Sequence, residues 1–256
     1  MCLILFSWRR HPDYPLVVAA NRDEFHDRPT AAAGYWQEAP QILAGRDRQE
    51  GGTWLGVDRR GRIAAVTNYR NPSAERKNAL SRGDLVINFL LQSPTANEYL
   101  HAVQADRHRY NGFNLFLGDK SGMHCLASQT GEIHALAAGL YGCSNGLPDA
   151  PWPKVEQGKH GLGRLMKAGI AIDIEDIFAL LSNRSPFPDE SLPDTGVGLD
   201  RERMLAPVFV RSRDYGTRSS TVVIIDRDAR LSFAERSFDE NGEITGTVRY
   251  QFNIKS

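Results

Sequence analysis

Short apolar runs without alternation constrain this chain more than any other feature. Cys2-Leu-Ile-Leu-Phe-Ser-Trp8 opens the sequence, and Leu16-Val-Val-Ala-Ala20 follows a turn-like Arg9-Arg-His-Pro-Asp-Tyr-Pro15. A third run, Ser219-Ser-Thr-Val-Val-Ile-Ile-Asp226, comes late in the chain. In the first run Leu3 and Leu5 fall on one side of a strand, and Ile4, Phe6 and Trp8 on the other. A strand with one wet face alternates apolar and polar residues. Runs that are apolar at consecutive positions therefore predict strands covered on both faces. Such a sheet needs a packed layer on each side.

The remaining segments supply those layers. The first two runs are expected to pair as a hairpin. Ile42–Gly45, Gly51–Val57 and Arg62–Asn68, separated by an Asp58-Arg-Arg-Gly61 turn, have the spacing of an antiparallel meander. Ser81 is the expected N-cap of a helix over Arg82–Gln92, with Leu85, Val86, Phe89 and Leu90 as its apolar stripe. Ser93-Pro94-Thr95 breaks that helix and starts another bearing Tyr99, Leu100 and Val103. Strands return at Gly112–Gly118, Met123–Ala127, Glu132–Leu136 and Gly139–Gly146. A second helical pair is expected from Pro151-Trp152-Pro153 to Met166 and over Asp173–Ser182. Asn183–Gly198 reads as a surface loop. Ser219–Asp226, Arg230–Ser237 and Gly246–Ile254 complete the strands. The order is strands, helix pair, strands, helix pair, strands, with no repeat or linker. It predicts one α+β domain over residues 1–256, a four-layer αββα sandwich of two antiparallel sheets flanked by helices.

Charge and cysteine usage exclude several classes. Lys+Arg and Asp+Glu number 31 each, a balance that argues against nucleic acid or an anionic membrane as the main partner. No apolar stretch approaches the roughly 18 residues of a transmembrane helix. The opening run is too short for a signal peptide, and Arg9 and Arg10 follow it instead of preceding it. Cys2, Cys125 and Cys143 form no CxxC, so neither a disulfide framework nor a zinc site is implied, and a cytoplasmic location is expected.

Cys2 stands directly behind Met1. If Met1 is removed, Cys2 gains a free α-amino group with a reference pKa of about 7.7–8.0. That amine can act as a general base, and the adjacent thiol as a nucleophile. The second run ends in Asn21-Arg22-Asp23-Glu24, which a hairpin brings back toward Cys2. A guanidinium at Arg22 would favour the thiolate, and Asp23 would orient the amine. Thr67-Asn68 and Ser144-Asn145-Gly146 end strands, and Thr217-Arg218 begins one. An Asn amide suits an oxyanion hole, and an Arg suits a substrate carboxylate. The plainer alternatives remain open: Cys2 as a small buried hydrophobe, and Asn145-Gly146 as ordinary turn chemistry.

Taken together, Met1-Cys2, Asn21-Arg22-Asp23-Glu24, Gly51-Gly-Thr-Trp-Leu-Gly56, Thr67-Asn68, Ser144-Asn145-Gly146 and Gly216-Thr-Arg-Ser-Ser-Thr221 resemble the NRDE family, also called the transport and Golgi organisation protein 2 family. The resemblance implies a fold similar to the N-terminal-nucleophile hydrolases, nearest to the cysteine branch with penicillin V acylase and bile salt hydrolase. It implies a site of Cys2, Arg22, Asp23, Asn68, Asn145 and Arg218, and hydrolysis of a non-peptide C–N bond without a cofactor. Arg22 and Asp23 are adjacent here, whereas their counterparts in the acylases are separated. Strand geometry points Asp23 and Glu24 to opposite sides, and either one is open as the carboxylate facing Cys2. The resemblance also implies an alternative: an intracellular carrier of haem or acyl-coenzyme A that uses the same cleft without turnover. No CxxCH haem-attachment signature is present; of the seven scattered His residues, His26 and His124 lie nearest to the segments of interest.

Overall fold

The computed structural model describes residues 2–92, 94–167 and 171–255. The opening runs form β1 (Cys2–Trp8) and β2 (Leu16–Phe25), an antiparallel hairpin with Cys2 opposite Arg22 and Trp8 opposite Leu16. The strand does not stop at Ala20. It continues through Asn21–Glu24 because β2 is paired on both sides, with β1 and with β11 (Tyr215–Ile225). A ladder on both edges satisfies the backbone whatever the side-chain polarity.

The first sheet has six strands in the order β10-β1-β2-β11-β12-β13, with β10 at Gly139–Cys143, β12 at Arg230–Phe238 and β13 at Ile244–Asn253. The second sheet is a seven-stranded meander in chain order. Its strands are β3 (Thr30–Tyr35), β4 (Ile42–Asp47), β5 (Leu55–Asp58), β6 (Ile63–Asn68), β7 (Phe113–Asp119), β8 (Gly122–Ala127) and β9 (Glu132–Leu136). Every ladder in both sheets is antiparallel.

Side-chain alternation in β1 builds two cores at once. Ile4 and Phe6, with Leu16 and Val18, meet Val57, Ala65 and Phe116 between the sheets. Leu3 and Leu5, with Val17 and Ala19, face α3 (Pro153–Leu165) and α4 (Ile174–Leu181) through Val155, Leu162, Ile177 and Phe178. Leu3, Ile4, Leu5 and Phe6 are each at most 1% exposed. At about 1.5–3 kcal/mol per buried side chain, these four contribute a gross 6–12 kcal/mol, roughly, before the entropy of ordering. On the second sheet, Ile42, Ala64 and Leu115 pack against Leu85, Phe89, Tyr99 and Leu100 of α1 (Gly83–Leu91) and α2 (Ala96–Asp106). The result is the four-layer αββα sandwich of an α+β protein.

Several local expectations are refined. Thr95 caps α2 through a capping box: Glu98 N–H donates to Thr95 Oγ1 at 3.3 Å, and Thr95 N–H donates to Glu98 Oε2 at 2.9 Å. Ser93, placed at the helix break by sequence, lies outside the described residues. Ser81 is not the cap of α1. The capping position is Arg82, which makes no side-chain cap bond. Packing sets that helix start instead, because Gly83 lies against Gly52 and Thr53. Two elements were not anticipated. One is β3, whose Thr30-Ala-Ala-Ala-Gly-Tyr35 has weak strand propensity and is held by β4. The other is α5 (Leu199–Leu205), anchored through Glu202. Among the described residues no helix is long and apolar enough to cross a membrane.

Candidate active site

Antiparallel pairing brings the start of β1, the end of β2, the start of β11 and the end of β12 to one end of the first sheet. There, with the end of β6 and the C-terminal half of β4, they surround a cavity of about 520 Å³. Cys2, Arg22, Asp23, Asn68 and Arg218 all line it. Asn145 does not appear in the wall. It is fully buried behind it, and its Nδ2 donates to the Asn68 carbonyl at 2.9 Å. The Asn145 carbonyl in turn accepts from Arg70 N–H at 2.8 Å. Asn145 thus ties the end of β6 to the segment that follows β10.

Cys2 is 8% exposed, and its carbonyl accepts from Ser144 Oγ at 3.1 Å. Burial pushes the Cys2 thiol above its ordinary range; Asp23 and Glu24 push the same way, and Arg22 offsets only part. The expected thiolate bias from Arg22 is therefore outweighed by desolvation, and the thiol needs a base to react. Met1, whose removal would expose the Cys2 amine, lies outside the described residues.

Cross-strand register resolves the two carboxylates. Cys2 is directly opposite Arg22, so Glu24, two residues on, shares their face of the sheet. Arg22 Nη2 lies 3.6 Å from Glu24 Oε2 and 3.8 Å from Asp47 Oδ2. Arg28 Nε donates to Asp47 at 2.7 Å. Arg22 Nη1 is buried with no hydrogen-bond partner among the described residues. Asp23 takes the opposite face, 1% exposed, where Thr217 Oγ1 donates to its Oδ1 at 2.7 Å. Burial raises the Asp23 carboxyl above the usual range, and Lys154 opposes that shift. Lys154 is itself buried, donates to the Leu205 carbonyl at 2.8 Å, and is brought down to about 8 by desolvation.

Arg218 occupies an irregularity in the β2–β11 ladder. Thr217 pairs with Asp23 and Ser219 with Arg22, so Arg218 has no partner in register. A bulge of this kind re-aims a side chain. The Arg218 Nη1 donates to the carbonyls of Phe25, His26 and Arg28 at 2.8, 3.1 and 3.2 Å, clasping the chain as it leaves β2.

Sequence reasoning missed several wall residues. Glu235 is 3% exposed and accepts from Ala33 N–H at 2.7 Å and Thr221 Oγ1 at 3.2 Å. Its signal was available: Leu231 and Phe233 point into the central core, and Glu235 is the next residue of that parity. The same parity, Val18, Ala20, Arg22, Glu24, marks Glu24 as the carboxylate on the thiol's face. Arg82 had no such signal. Asn114 sits beneath the site, its Nδ2 within 3.1 Å of Thr67 Oγ1, 3.3 Å of Cys143 Sγ and 2.8 Å of the Gly146 carbonyl. His26 and His124 are not in the cavity wall; His26 Nε2 contacts the Ser212 carbonyl at 3.3 Å. Among the described residues no group of three His, Cys, Asp or Glu side chains is arranged to hold a metal ion.

Comparison with known proteins agrees with this architecture. The family model described as Transport and Golgi organisation 2 matches residues 1–240. The Transport and Golgi organization protein 2 homolog of Bos taurus is 38% identical, with both chains covered completely. Among solved structures, the N-acylethanolamine-hydrolyzing acid amidase ortholog of Caenorhabditis elegans superposes with a TM-score of 0.52 at 11% identity, over 87% of this chain and 92% of that one. A conjugated bile acid hydrolase from Clostridium perfringens does so with a TM-score of 0.52 at 9% identity, over 99% and 97%. At these identities the structural likeness establishes the fold, which is that of the N-terminal-nucleophile hydrolases.

Proposed function

This chain belongs to the Transport and Golgi organisation 2 family and carries an N-terminal-nucleophile-hydrolase fold, and we propose that it hydrolyses a non-peptide amide with Cys2 as nucleophile. One observation carries this reading: Cys2 is paired with Arg22 at the edge of a cavity that Asp23, Asn68 and Arg218 also line. With Met1 removed, the Cys2 α-amine takes the thiol proton, and the sulfur attacks the amide carbonyl carbon. The Asn68 amide donates to the developing oxyanion. The C–N bond breaks as the ammonium returns its proton to the leaving amine, leaving a thioester on Cys2. Water, deprotonated by the same amine, attacks the thioester carbonyl and releases the acid and the free thiol. Asp23, buried beside Lys154, holds the amine. Asn145 acts at one remove by fixing the Asn68 backbone.

A second reading has its own observation. The cationic wall of the cavity suits haem or acyl-coenzyme A, both anionic, as cargo bound without turnover. Intact mass and a panel of N-acyl amides separate the two. The hydrolase reading expects a chain lacking Met1, alkylation of Cys2 by iodoacetamide, and turnover that Cys2→Ala abolishes. A purified chain that retains Met1 and hydrolyses no amide sinks it. Haem binding that saturates and survives Cys2→Ala supports the carrier.

A further inference from the structure

The cavity is wide for a thiol and its partners, and its charge is uneven. Seven cationic and five acidic side chains line it. The acids are largely engaged. Glu24 and Asp47 are shared between Arg22 and Arg28, and Glu235 is taken by Ala33 N–H and Thr221. Asp23 is bonded to Thr217 on the far face of β2. Arg46 is paired with Glu38 outside the cavity. Among the described residues, Arg76, Lys77, Arg82 and Arg218 have no carboxylate within ion-pair distance.

Three of these cations are held in place without being neutralised. Arg82 donates to the Gly112 carbonyl at 3.1 Å, and Arg218 to three carbonyls at the end of β2. Arg76 is fixed by its backbone N–H on Asn111 Oδ1 at 2.9 Å and by its guanidinium on the Tyr110 carbonyl. Carbonyls orient a guanidinium but leave its charge unmatched. Next to Arg82 the Gly52–Thr53 and Gly83 backbones are in contact, which fixes the end of this segment where α1 begins. Burial lowers the Arg82 guanidinium, and Glu75, Cys2 and Glu24 each pull it back up, which places it within electrostatic reach of the thiol. The buried, partnerless Arg22 Nη1 adds a fifth donor on the same cavity.

We propose that the 76–82 segment and Arg218 form an anion subsite, and that the substrate is an amide carrying a carboxylate or phosphate group away from the scissile bond. A neutral ligand would leave several guanidinium charges desolvated and unmatched, whereas an anion supplies the missing partner through charge-assisted hydrogen bonds. The inference rests on the hydrolase reading for the word substrate. The anion subsite itself does not require turnover.

The test measures binding to the full chain with Cys2→Ala, so that no catalysis intervenes. Three probes share one acyl chain: N-decanoyl-glycine, N-decanoyl-O-phosphoethanolamine and neutral N-decanoyl-ethanolamine. One or both anions should bind about tenfold tighter than the neutral amide, and the margin should shrink with added salt. Adding Arg82→Gln should erase most of that margin while the neutral probe is unaffected, and Arg218→Gln should narrow the margin as well. The order of the two anions identifies carboxylate or phosphate as the preferred group. If Arg82→Gln or Arg218→Gln fails to fold, Lys77→Gln, which removes an exposed side chain, carries the same expectation on a smaller scale. Equal affinity for all three probes, no binding of either anion, or a margin that survives these substitutions overturns the subsite. Wild-type protein that shows the anion preference yet hydrolyses none of the probes removes the hydrolase reading and leaves the subsite standing.

Discussion

The contact between Gly52 and Gly83 offers a sharp test of how the Gly51-Gly52 pair shapes the cavity. A Cβ on Gly52 would lie 2.8 Å from the Gly83 carbonyl carbon and 3.1 Å from Gly83 Cα and O. These are backbone atoms and cannot rotate away, so Gly52→Ala must push the start of α1 outward. Overpacking of this kind costs about 1–3 kcal/mol. For a chain of this size that lowers Tm by roughly 2–12 °C. The reverse substitution is milder: a Cβ on Gly83 meets Thr53 N and O at 3.2 Å and Gly52 Cα at 3.4 Å. It also gains about 0.5–1 kcal/mol of helix propensity, so Gly83→Ala should stay within about 1 kcal/mol of wild type. Gly51 provides a third mechanism. Its φ of +80° strains any L side chain, with nothing nearby to displace, so Gly51→Ala should cost about 1–2 kcal/mol and leave the 76–82 segment in place. Chemical denaturation gives the three stabilities, and titration with N-decanoyl-glycine on the Cys2→Ala background gives the effect on the cavity. Gly52→Ala should lose affinity and Gly51→Ala should keep it. If Gly52→Ala is as stable as Gly83→Ala, or binds the probe as wild type does, the idea that this contact sets the cavity wall is refuted.

Other outcomes follow from individual residues. Lys154 opposes the burial that raises the Asp23 carboxyl, so Lys154→Met raises the proton affinity of Asp23 further and should move the acid limb of the turnover profile to higher pH. An unmoved limb, in protein that still folds, would show that Asp23 does not titrate in the rate. Asp58, 0% exposed, accepts from Arg60 Nε at 3.0 Å, Arg62 Nε at 2.8 Å and both backbone N–H groups of those residues. Asp58→Ala leaves the buried Arg62 without its carboxylate and should cost about 3–5 kcal/mol, read by urea denaturation. A change under about 1 kcal/mol would mean that the β5–β6 turn holds without this pair. Thr95→Ala removes the capping box of α2 far from the cavity, and should cost about 1 kcal/mol with ligand affinity unchanged.

Local chemistry was legible wherever it acts alone. Thr95 with Glu98 forms its capping box from four consecutive residues, and no distant partner is needed. Ser81 has the right chemistry for a cap but not the position, because the helix start is decided by Gly52 and Thr53. The alanine-rich β3 and the seven-residue α5 carry little propensity of their own. Each is held by a distant partner, β3 through Ala33 N–H on Glu235 and α5 through Arg70, so a window along the sequence passes over both.

The sequence alone determined the layers. Leu3, Ile4, Leu5 and Phe6 are apolar at consecutive positions, and a strand can bury all four only between two packed layers. It also turned the Asn21–Glu24 cluster back toward Cys2, since two apolar runs joined by a turn form a hairpin; that Arg22 is the residue opposite Cys2 was decided by the ladder. Tertiary structure decided the electrostatics. Whether Cys2 is favoured as thiol or thiolate depends on how completely other elements exclude water from it, and burial outweighs the guanidinium beside it. Arg218 reaches the cavity because of a bulge between two strands almost two hundred residues apart in sequence, roughly. Arg82 shares a cavity with the thiol because the start of α1 packs against the distant Gly52 and Thr53. Periodicity reports which faces are buried. Desolvation and charge balance depend on which distant segments come to share a space.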